Sequence, residues 1–321
     1  MPAPGPRGDA GGGPLSAARC SVASAAREES LAGSASTVAA FLLLEHPGSW
    51  GVNALRDARF PDGVGEELRA HAQAAGVRLL LIRRPDRTGR TATPGGPRRV
   101  FAVHARAPYA WTESAALTDP RSVLDLDLTA LRAGRSLGLA AHDEPLFAVC
   151  THGRHDACCA EQGRPVAAAL AAALPDQTWE VSHLGGDRFA ANMLVAPDGL
   201  YYGRLAPEDA VAVARARLSG EVELDHLRGR TCYPMPVQAA EIALRRELGL
   251  TTPGGLRLIA RSQAGSAGEG GLITDASFRH DARVYAVRVR STHTPPVALT
   301  CRAIRDQVAL QHEIMSVAPV T

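Results

Sequence analysis

The sequence contains no lysine, because all 35 of its basic residues are arginine. This absence excludes mechanisms that need a lysine side chain, such as Schiff-base catalysis and the phosphate-binding lysines of P-loop enzymes and kinases. H-E-x-x-H does not occur, and no pair of carboxylates indicates glycoside hydrolysis. These two motifs therefore point to no catalytic function.

Long apolar runs and strong net charge are also lacking. No stretch approaches eighteen uninterrupted apolar residues, so we expect no membrane-spanning segment. Residues 1–18 lack the basic-then-apolar pattern of a secretory signal, and the formal net charge is only +2. These features predict a cytoplasmic protein that binds neither nucleic acid nor membrane surfaces. Apolar residues make up 45% of the 321 residues, which is enough for a sizeable core.

Apolar patterning indicates a recurring order of elements along the chain. The glycine- and proline-rich residues 1–35 predict a disordered or extended N-terminus. Residues 36–138 are predicted to form the first structured half. Its expected elements are a strand at 37–44, a helix at 66–75, strands at 77–82 and 100–103, and a helix at 125–133.

Residues 139–250 repeat much of this order. The expected elements are a strand at 146–150, a helix at 165–174, a strand at 178–182, a hairpin of 191–196 and 200–205, and helices at 207–218 and 237–248. The order β-α-β-β-β-α is compatible with a thioredoxin-like sheet. We therefore predict an α/β protein built from two degenerate thioredoxin-like halves. A C-terminal extension, residues 251–321, is expected to contain strands at 256–260, 283–290 and 297–303, with a flexible stretch at 265–271.

Three of the six cysteines fall within ten residues: Cys150, Cys158 and Cys159. Such clustering is a poor layout for a disulfide framework in a chain of this length. Cys150 ends a predicted strand, and Cys159 lies nine positions later, before a predicted helix whose N-terminus favours thiolates. The eight-residue spacer is too long for a C-x-x-C dithiol motif and long enough to wrap an inorganic cluster. One loop would thus supply half of a four-ligand site.

The other half of the site is expected at a neighbouring strand end. His183 directly follows the predicted strand 178–182, and Asp187 lies four residues later. Gly185 and Gly186 stand between them. Since glycine has no Cβ, its backbone can approach a bulky group closely and offer N–H donors to sulfides, so we predict that both glycines contact a cofactor.

The motif Cys150-x8-Cys159, followed by Ser-His-Leu-Gly-Gly-Asp-Arg-Phe-Ala-Ala-Asn at 182–192, resembles the sucrase/ferredoxin-like family of thioredoxin-like ferredoxins. The resemblance extends over most of the chain and implies a [2Fe–2S] cluster held by Cys150, Cys159 and His183. Fungal relatives hold this cluster with two cysteines and an H-x3-H pair of histidines. Here Asp187 stands in place of the second histidine.

The identity of the fourth ligand stays open at this point. Asp187 offers an anionic oxygen, which should lower the reduction potential relative to a second imidazole. Cys158, adjacent to Cys159, is the rival ligand. Alternatively, Asp187 only accepts a hydrogen bond and the ligand set is incomplete. The nearby Asp156 is expected to cap the loop by bonding backbone N–H groups.

Other candidate residues receive simpler interpretations. His152 and His155 are expected to be solvated or to bond the loop backbone, although they could also tune a cluster. Cys20, Cys232 and Cys301 are expected to be small buried hydrophobic residues.

These observations favour an iron–sulfur electron carrier that exchanges electrons with partner redox proteins, rather than a catalyst with its own substrate. Two alternatives use the same cysteines and histidine. One is a structural zinc protein. The other is a thiol oxidoreductase in which Cys158 or Cys159 is the nucleophile and Cys150 resolves the intermediate.

Overall fold

The computed structural model describes residues 19–85 and 96–320. Two groups of four strands form its centre. Strands β1 to β4 are Ala40–Glu45, Arg78–Arg83, Arg98–His104 and Trp111–Leu117. Strands β6 to β9 are Leu146–Cys150, Thr178–Val181, Met193–Ala196 and Leu200–Tyr202. In each group the first two strands are parallel neighbours, the third lies antiparallel on the other side of the first, and the fourth pairs with the third.

Strands β2 and β7 join the two groups back to back. They pair in antiparallel register through Ile82 with Val181 and Arg83 with Glu180, so they overlap only at their carboxyl ends. The short strand β5 (Ala140–Ala141) and β10 (Leu227–Arg230) extend the outer edges, which gives a ten-stranded mixed sheet in the order β10-β9-β8-β6-β7-β2-β1-β3-β4-β5. The loops that follow the parallel strands of both groups therefore meet near this seam.

Helices flank the sheet at equivalent places in the two groups. In the first, α2 (Ala54–Asp57) and α3 (Val64–Ala74) connect β1 to β2, and a 3-10 helix (Pro120–Asp125) and α4 (Leu128–Arg132) follow β4. In the second, α5 (Ala157–Ala173) connects β6 to β7, and α6 (Pro207–Leu218) and α7 (Met235–Leu248) come later. The predicted α/β fold of the thioredoxin-like class is confirmed, while the domain boundaries at 138/139 and 250/251 stay predictions.

Strand β1 shows why the apolar runs form central strands. Leu42 and Leu44 pack in the core that contains Leu68 of α3, whereas Phe41 and Leu43 pack in a second core that extends across the seam to Val181. All six residues of β1 are buried. A strand covered on both faces has an almost continuous apolar sequence, as the run at 37–44 does.

Helix α5 begins eight residues before the predicted start at 165. The side chain of Asp156 accepts a hydrogen bond of 2.9 Å from the Cys158 N–H, so it caps the helix there. Pro165 lies inside the helix rather than in its first turn. The prediction was wrong because it gave the proline more weight than the capping aspartate.

The C-terminal extension is a four-stranded antiparallel sheet. Its strands are β11 (Arg257–Ser266), β12 (Glu269–His280), β13 (Arg283–His293) and β14 (Leu310–Pro319), in sequential order. The sheet packs on α7 through an apolar cluster that includes Val237, Phe278 and Val287.

The predictions for this extension were correct only in part. The stretch 265–271 covers the end of β11, the two-residue turn and the start of β12, and its predicted flexibility stays a prediction. The predicted strand at 297–303 contains one isolated bridge, from Val297 to Gln307. Strands β12 and β14 were not predicted, because β14 is mostly exposed and β12 begins with two glycines in its first three residues, so neither has a clear apolar alternation.

A short helix, α1 (Cys20–Ala26), lies in the segment that the sequence predicted to be disordered or extended. Its buried residues are Cys20, Ser21 and Ser24, which are too small and polar to give an apolar signal. Residues 1–18 lie outside the described residues. Over the described ranges, no helix combines the length and apolar character that crossing a bilayer requires.

Candidate metal centre

The sulfurs of Cys150 and Cys159 meet where β6 ends against α5. Cys150 is the last residue of β6, and Cys159 lies in the first turn of α5. Gly163 allows this approach, because a Cβ atom at that position would overlap the carbonyl oxygen of Cys150. Both cysteines are 1% exposed. The helix thus brings its N-terminal end directly over the end of the strand.

The two thiols influence each other's ionisation. Cys159 lowers the pKa of Cys150, and Cys150 raises the pKa of Cys159. The nearby backbone N–H groups of His152 and Leu184 also lower the pKa of Cys150. Such donors stabilise a thiolate, which is the form that ligates metals.

His183 and Asp187 complete this group from the loop after β7. Oδ1 of Asp187 lies 3.0 Å from Nδ1 of His183 and accepts a hydrogen bond of 3.3 Å from the Cys159 thiol. Asp187 is 2% exposed. Burial alone would raise the pKa of its carboxyl, but His183 and Cys159 outweigh burial and hold that pKa below its usual range.

The Nδ1 atom of His183 is buried and makes no aligned hydrogen bond within the described part of the chain, despite its short distance to Asp187. A buried imidazole nitrogen without a hydrogen bond is costly unless another partner satisfies it. This nitrogen, the Asp187 carboxylate and the two sulfurs are donors of the kind that metals bind.

The two loop histidines line the same site. The ring of His155 lies 3.8 Å from the His183 ring, centroid to centroid, and its Nε2 lies 3.8 Å from Oδ2 of Asp187. His152 accepts a hydrogen bond on Nδ1 from the His183 N–H, so its Nε2–H donates to the Gly51 carbonyl at 2.9 Å. Burial lowers the pKa of His152 to about 4, so it is neutral at pH 7.

The loop histidines bond backbone as expected, but the carbonyls belong to the first half of the chain. Nδ1 of His155 lies 3.3 Å from the Val52 oxygen, beside the Gly51 contact of His152. The sequence did not single out His155 as a neighbour of Asp187. Its only signal was its position inside the spacer between the two cysteines.

Gly185 and Gly186 make the turn that leads to Asp187. Both have positive φ, of 96° and 78°. A Cβ atom on Gly186 would overlap the guanidinium of Arg228, which donates to the Gly185 carbonyl at 2.9 Å. Their close backbone approach is therefore to Arg228, and their contact with a cofactor stays a prediction.

Cys158 points away from Cys159 into a second group. Its sulfur lies 3.6 Å from that of Cys20 and 3.3 Å from that of Cys301. Asp156 lies beside these sulfurs and bonds two backbone N–H groups, of Cys158 and Cys301, in the capping role that the sequence predicted. Cys20 and Cys301 are thus not isolated hydrophobic residues.

Two sets of residues could each hold a metal ion. One consists of Cys20, Asp156, Cys158 and Cys301, and the other of His155, His183 and Asp187. In each set the ligand atoms all lie within 4.8 Å of one another.

An arginine-lined crevice opens beside the exposed edges of the imidazoles. It has a volume of about 430 Å³, and its walls include Arg56, Arg69 and Arg78 together with His155 and His183. Arg78 donates to the His183 carbonyl at 2.9 Å. The first half of the chain therefore forms one wall of the site.

Comparison with known proteins identifies the family. A family model described as sucrase/ferredoxin-like matches residues 31–229, which is more than half of the chain. The chain therefore belongs to the sucrase/ferredoxin-like family, as the resemblance of its motifs implied. Searches of the curated proteins and of the solved structures gave no match.

Proposed function

We propose that this member of the sucrase/ferredoxin-like family is an electron carrier with a [2Fe–2S] cluster, held by Cys150, Cys159, His183 and Asp187. The observation that carries the proposal is the convergence of two buried thiols, a carboxylate that accepts from one of them, and a buried imidazole nitrogen without an aligned hydrogen bond. The donor set fits this group, because thiolate and imidazole both ligate [2Fe–2S] clusters. When bound, such a cluster accepts and releases one electron at a time.

The surrounding residues would tune the site. Backbone N–H groups of His152 and Leu184 lower the pKa of Cys150, and N–H donors near ligand sulfurs raise a cluster potential. The negative charge of the Asp187 carboxylate acts in the opposite direction. The neutral His152 adds no positive charge while it fixes the His183 backbone.

The histidine side of the site would face the electron partner. The side chains of His155 and His183 are 32% and 30% exposed, whereas the two cysteines are buried. Arg56, Arg69 and Arg78 line the crevice at this side, so we propose an acidic partner protein. The six cysteines are free, which agrees with the reducing cytoplasm that we propose as its location.

The first experiment tests cluster binding. After anaerobic purification, we expect about two iron and two sulfide per chain, with visible and EPR spectra of a [2Fe–2S] centre. Cys150→Ser, Cys159→Ser and His183→Ala should lose or change this spectrum, and Cys232→Ser is the matched cysteine control. A wild-type spectrum in Cys150→Ser would overturn the proposal.

The second experiment identifies the fourth ligand. Asp187→His should keep the cluster and raise its potential on the order of 100 mV, because imidazole replaces an anionic ligand. Asp187→Ala should lose the cluster rapidly. If instead Cys158→Ser loses the cluster and Asp187→Ala retains its spectrum, then the fourth ligand is Cys158.

A second candidate function is supported by the compactness of the donor set. Asp187 lies within 3.3 Å of both the Cys159 sulfur and the His183 nitrogen, as ligands of a single ion can. A mononuclear zinc site would use the same residues. A colourless protein without sulfide, in which Cys150→Ser and His183→Ala lower the zinc content, would favour this alternative.

A further inference from the structure

We propose that Cys20, Cys158 and Cys301, together with Asp156, bind one Zn²⁺ ion at a second site, separate from the proposed cluster. The site would join three distant parts of the chain: helix α1, the N-terminal end of α5 and the loop before β14. Zinc in this site would be structural, because all four protein positions are supplied and no ligand position is left open.

The three sulfurs form a nearly equilateral triangle. The sulfur of Cys20 lies 3.6 Å from that of Cys158 and 3.5 Å from that of Cys301, and the sulfurs of Cys158 and Cys301 are 3.3 Å apart. Three thiolates bound to one tetrahedral zinc at 2.3 Å are about 3.8 Å apart. Zinc binding therefore requires each sulfur to move by only a few tenths of an ångström.

Asp156 lies at the fourth corner. Both of its carboxylate oxygens are 3.8 Å from the Cys20 sulfur, and the residue is 1% exposed. Its oxygens accept hydrogen bonds from the Cys158 N–H at 2.9 Å and the Cys301 N–H at 2.7 Å. The Cys20 thiol also donates to this carboxylate, and loss of the thiol proton on zinc binding would free that acceptor position for the metal.

No ion pair neutralises Asp156 among the residues that the structure describes. A buried carboxylate is costly unless it is paired or binds a cation. The sulfur atoms of three cysteines lie close to the Asp156 carboxylate. Zinc binds both thiolates and carboxylate oxygens. This unpaired buried charge is the observation that points to a cation rather than to thiols packed as small hydrophobic groups.

Donors surround the sulfurs as they do in zinc–thiolate sites. The Ser21 hydroxyl donates to the Cys158 sulfur at 3.2 Å, and the Cys20 N–H donates to the Cys301 sulfur at 3.5 Å. Such hydrogen bonds orient ligands and reduce the negative charge on them. An ion pair between Arg19 and Glu161 fastens the start of α1 to α5 beside the site.

A disulfide is the main competing interpretation. It would join two of the three sulfurs and leave the third thiol and Asp156 unexplained. The site shares no residue with the four proposed cluster ligands, although Cys158 is adjacent to Cys159. Two of its members, Cys20 and Cys301, lie outside residues 31–229, the part of the chain that the family model matches. Neither residue contacts the other metal group within the described ranges.

The experiment measures metal content under reducing conditions without chelator. By elemental analysis we expect one zinc per wild-type chain, in addition to any iron. Cys20→Ala and Cys301→Ala should contain less than a tenth of that zinc and keep the iron. Cys232→Ser is the matched control, since it removes a partly buried cysteine outside both groups. Cys150→Ser should lose iron and keep zinc.

These outcomes separate the two sites. Absence of iron from the wild type would overturn the electron carrier and leave the zinc measurement valid. Unchanged zinc in both Cys20→Ala and Cys301→Ala would overturn the second site, as would a zinc-free wild type with a disulfide between two of its three cysteines.

A cobalt titration keeps the proposal testable if the alanine variants do not fold. In the Cys150→Ser protein, one equivalent of Co²⁺ should give the strong thiolate charge-transfer and visible bands of a tetrahedral site with three sulfurs. Bands of an octahedral ion without thiolate ligands would contradict the proposal.

Discussion

The two halves of the large sheet share one strand order and differ in the loops at the seam. In the second half, β6 ends with Cys150 and a spacer leads to Cys159, whereas in the first half β1 ends with Glu45 and continues with His46 and a loop without cysteine. The first half contributes carbonyl groups and arginines to the site instead. The two halves thus share a strand arrangement, while the proposed ligands all lie in the second half.

The halves also differ in what their interiors bury. Arg228, Arg230 and Arg245 of the second half are almost fully buried, and Arg230 and Arg245 pair with Glu241. No arginine is buried to this degree among the described residues of 36–138, whose buried polar groups include His46 and His104. The second half therefore contains a buried ion cluster around Glu241 that the described residues of the first half lack.

The largest effect is expected at this buried ion cluster. Glu241 accepts from Arg245 at 3.0 Å and from Arg230 at 3.3 Å. Glu241→Gln leaves two buried guanidinium groups without their counter-charge, so the free energy of unfolding should fall by about 3–5 kcal/mol in urea at pH 7. Glu247→Gln, on the exposed face of the same helix, is the control.

The pH dependence of this loss has a defined sign. Burial opposes ionisation of Glu241, but Arg230 and Arg245 outweigh it and lower its pKa. The stabilisation is thus fully present above the unfolded pKa and is lost as pH falls through the lower folded pKa. Variant and wild type should converge in strong acid, and a constant difference down to pH 2 would contradict this account.

Glycines at equivalent helices provide the next test. Any Cβ on Gly163 of α5 would overlap the Cys150 carbonyl, and one on Gly65 of α3 would overlap the Leu55 carbonyl. Both alanine variants should lose about 1–3 kcal/mol of stability. Gly163→Ala alone should also reduce the iron content, because only α5 carries a proposed ligand.

The control for both glycine variants is Gly254→Ala, since a Cβ there meets open space. If Gly65→Ala and Gly163→Ala are equally stable and lose equal amounts of iron, then iron binding does not depend specifically on the position of α5, and this prediction is wrong.

A smaller effect is expected from the contact that the first half makes with the site. Arg78 donates to the His183 carbonyl, and this bond contributes about 1 kcal/mol. Arg78→Ala should therefore release iron to a chelator up to about five times faster than wild type. Arg69→Ala, which removes an exposed arginine paired with Glu66 in the same crevice, should leave the rate unchanged.

The smallest effect concerns His104 in the first half. Burial lowers its pKa, and Nδ1 bonds the Leu131 carbonyl at 3.1 Å. The unfolded chain takes up this proton near pH 6.5, before the folded chain does, so stability falls as pH drops below that value.

Replacing His104 by glutamine should flatten the stability profile between pH 7.5 and 5.5 by less than about 1 kcal/mol, measured by denaturant titration. His293→Gln, at an exposed position, serves as control. A steeper profile in His104→Gln would reverse the assigned sign.

The sequence predicted the fold where one physical signal dominated. The run at 146–150 coincides with β6, and the helix at 207–218 coincides with α6, which Pro207 begins. A buried strand and a helix that begins with proline can each be predicted from a short stretch of sequence. Strand β14 could not be predicted in this way, because most of its residues are exposed and show no apolar alternation.

The sequence also brought together Cys150, Cys159, His183 and Asp187, because strand ends in an α/β sheet meet at one edge. It missed the group around Cys158. Cys20 and Cys301 are separated from Cys158 by 138 and 143 residues, and no local pattern marks either one. Contacts between chain ends are set by how separate elements dock, which periodicity does not encode.

The ladder between β2 and β7 is short. Two residue pairs connect these strands, compared with five between β1 and β2, so side-chain contacts make up much of the connection between the halves. The histidine loops reach across it, from His152 to Gly51 and from His183 to Arg78. A bound metal centre would therefore strengthen the connection between the two halves. A protein that docks in the crevice would contact residues of both halves at this connection.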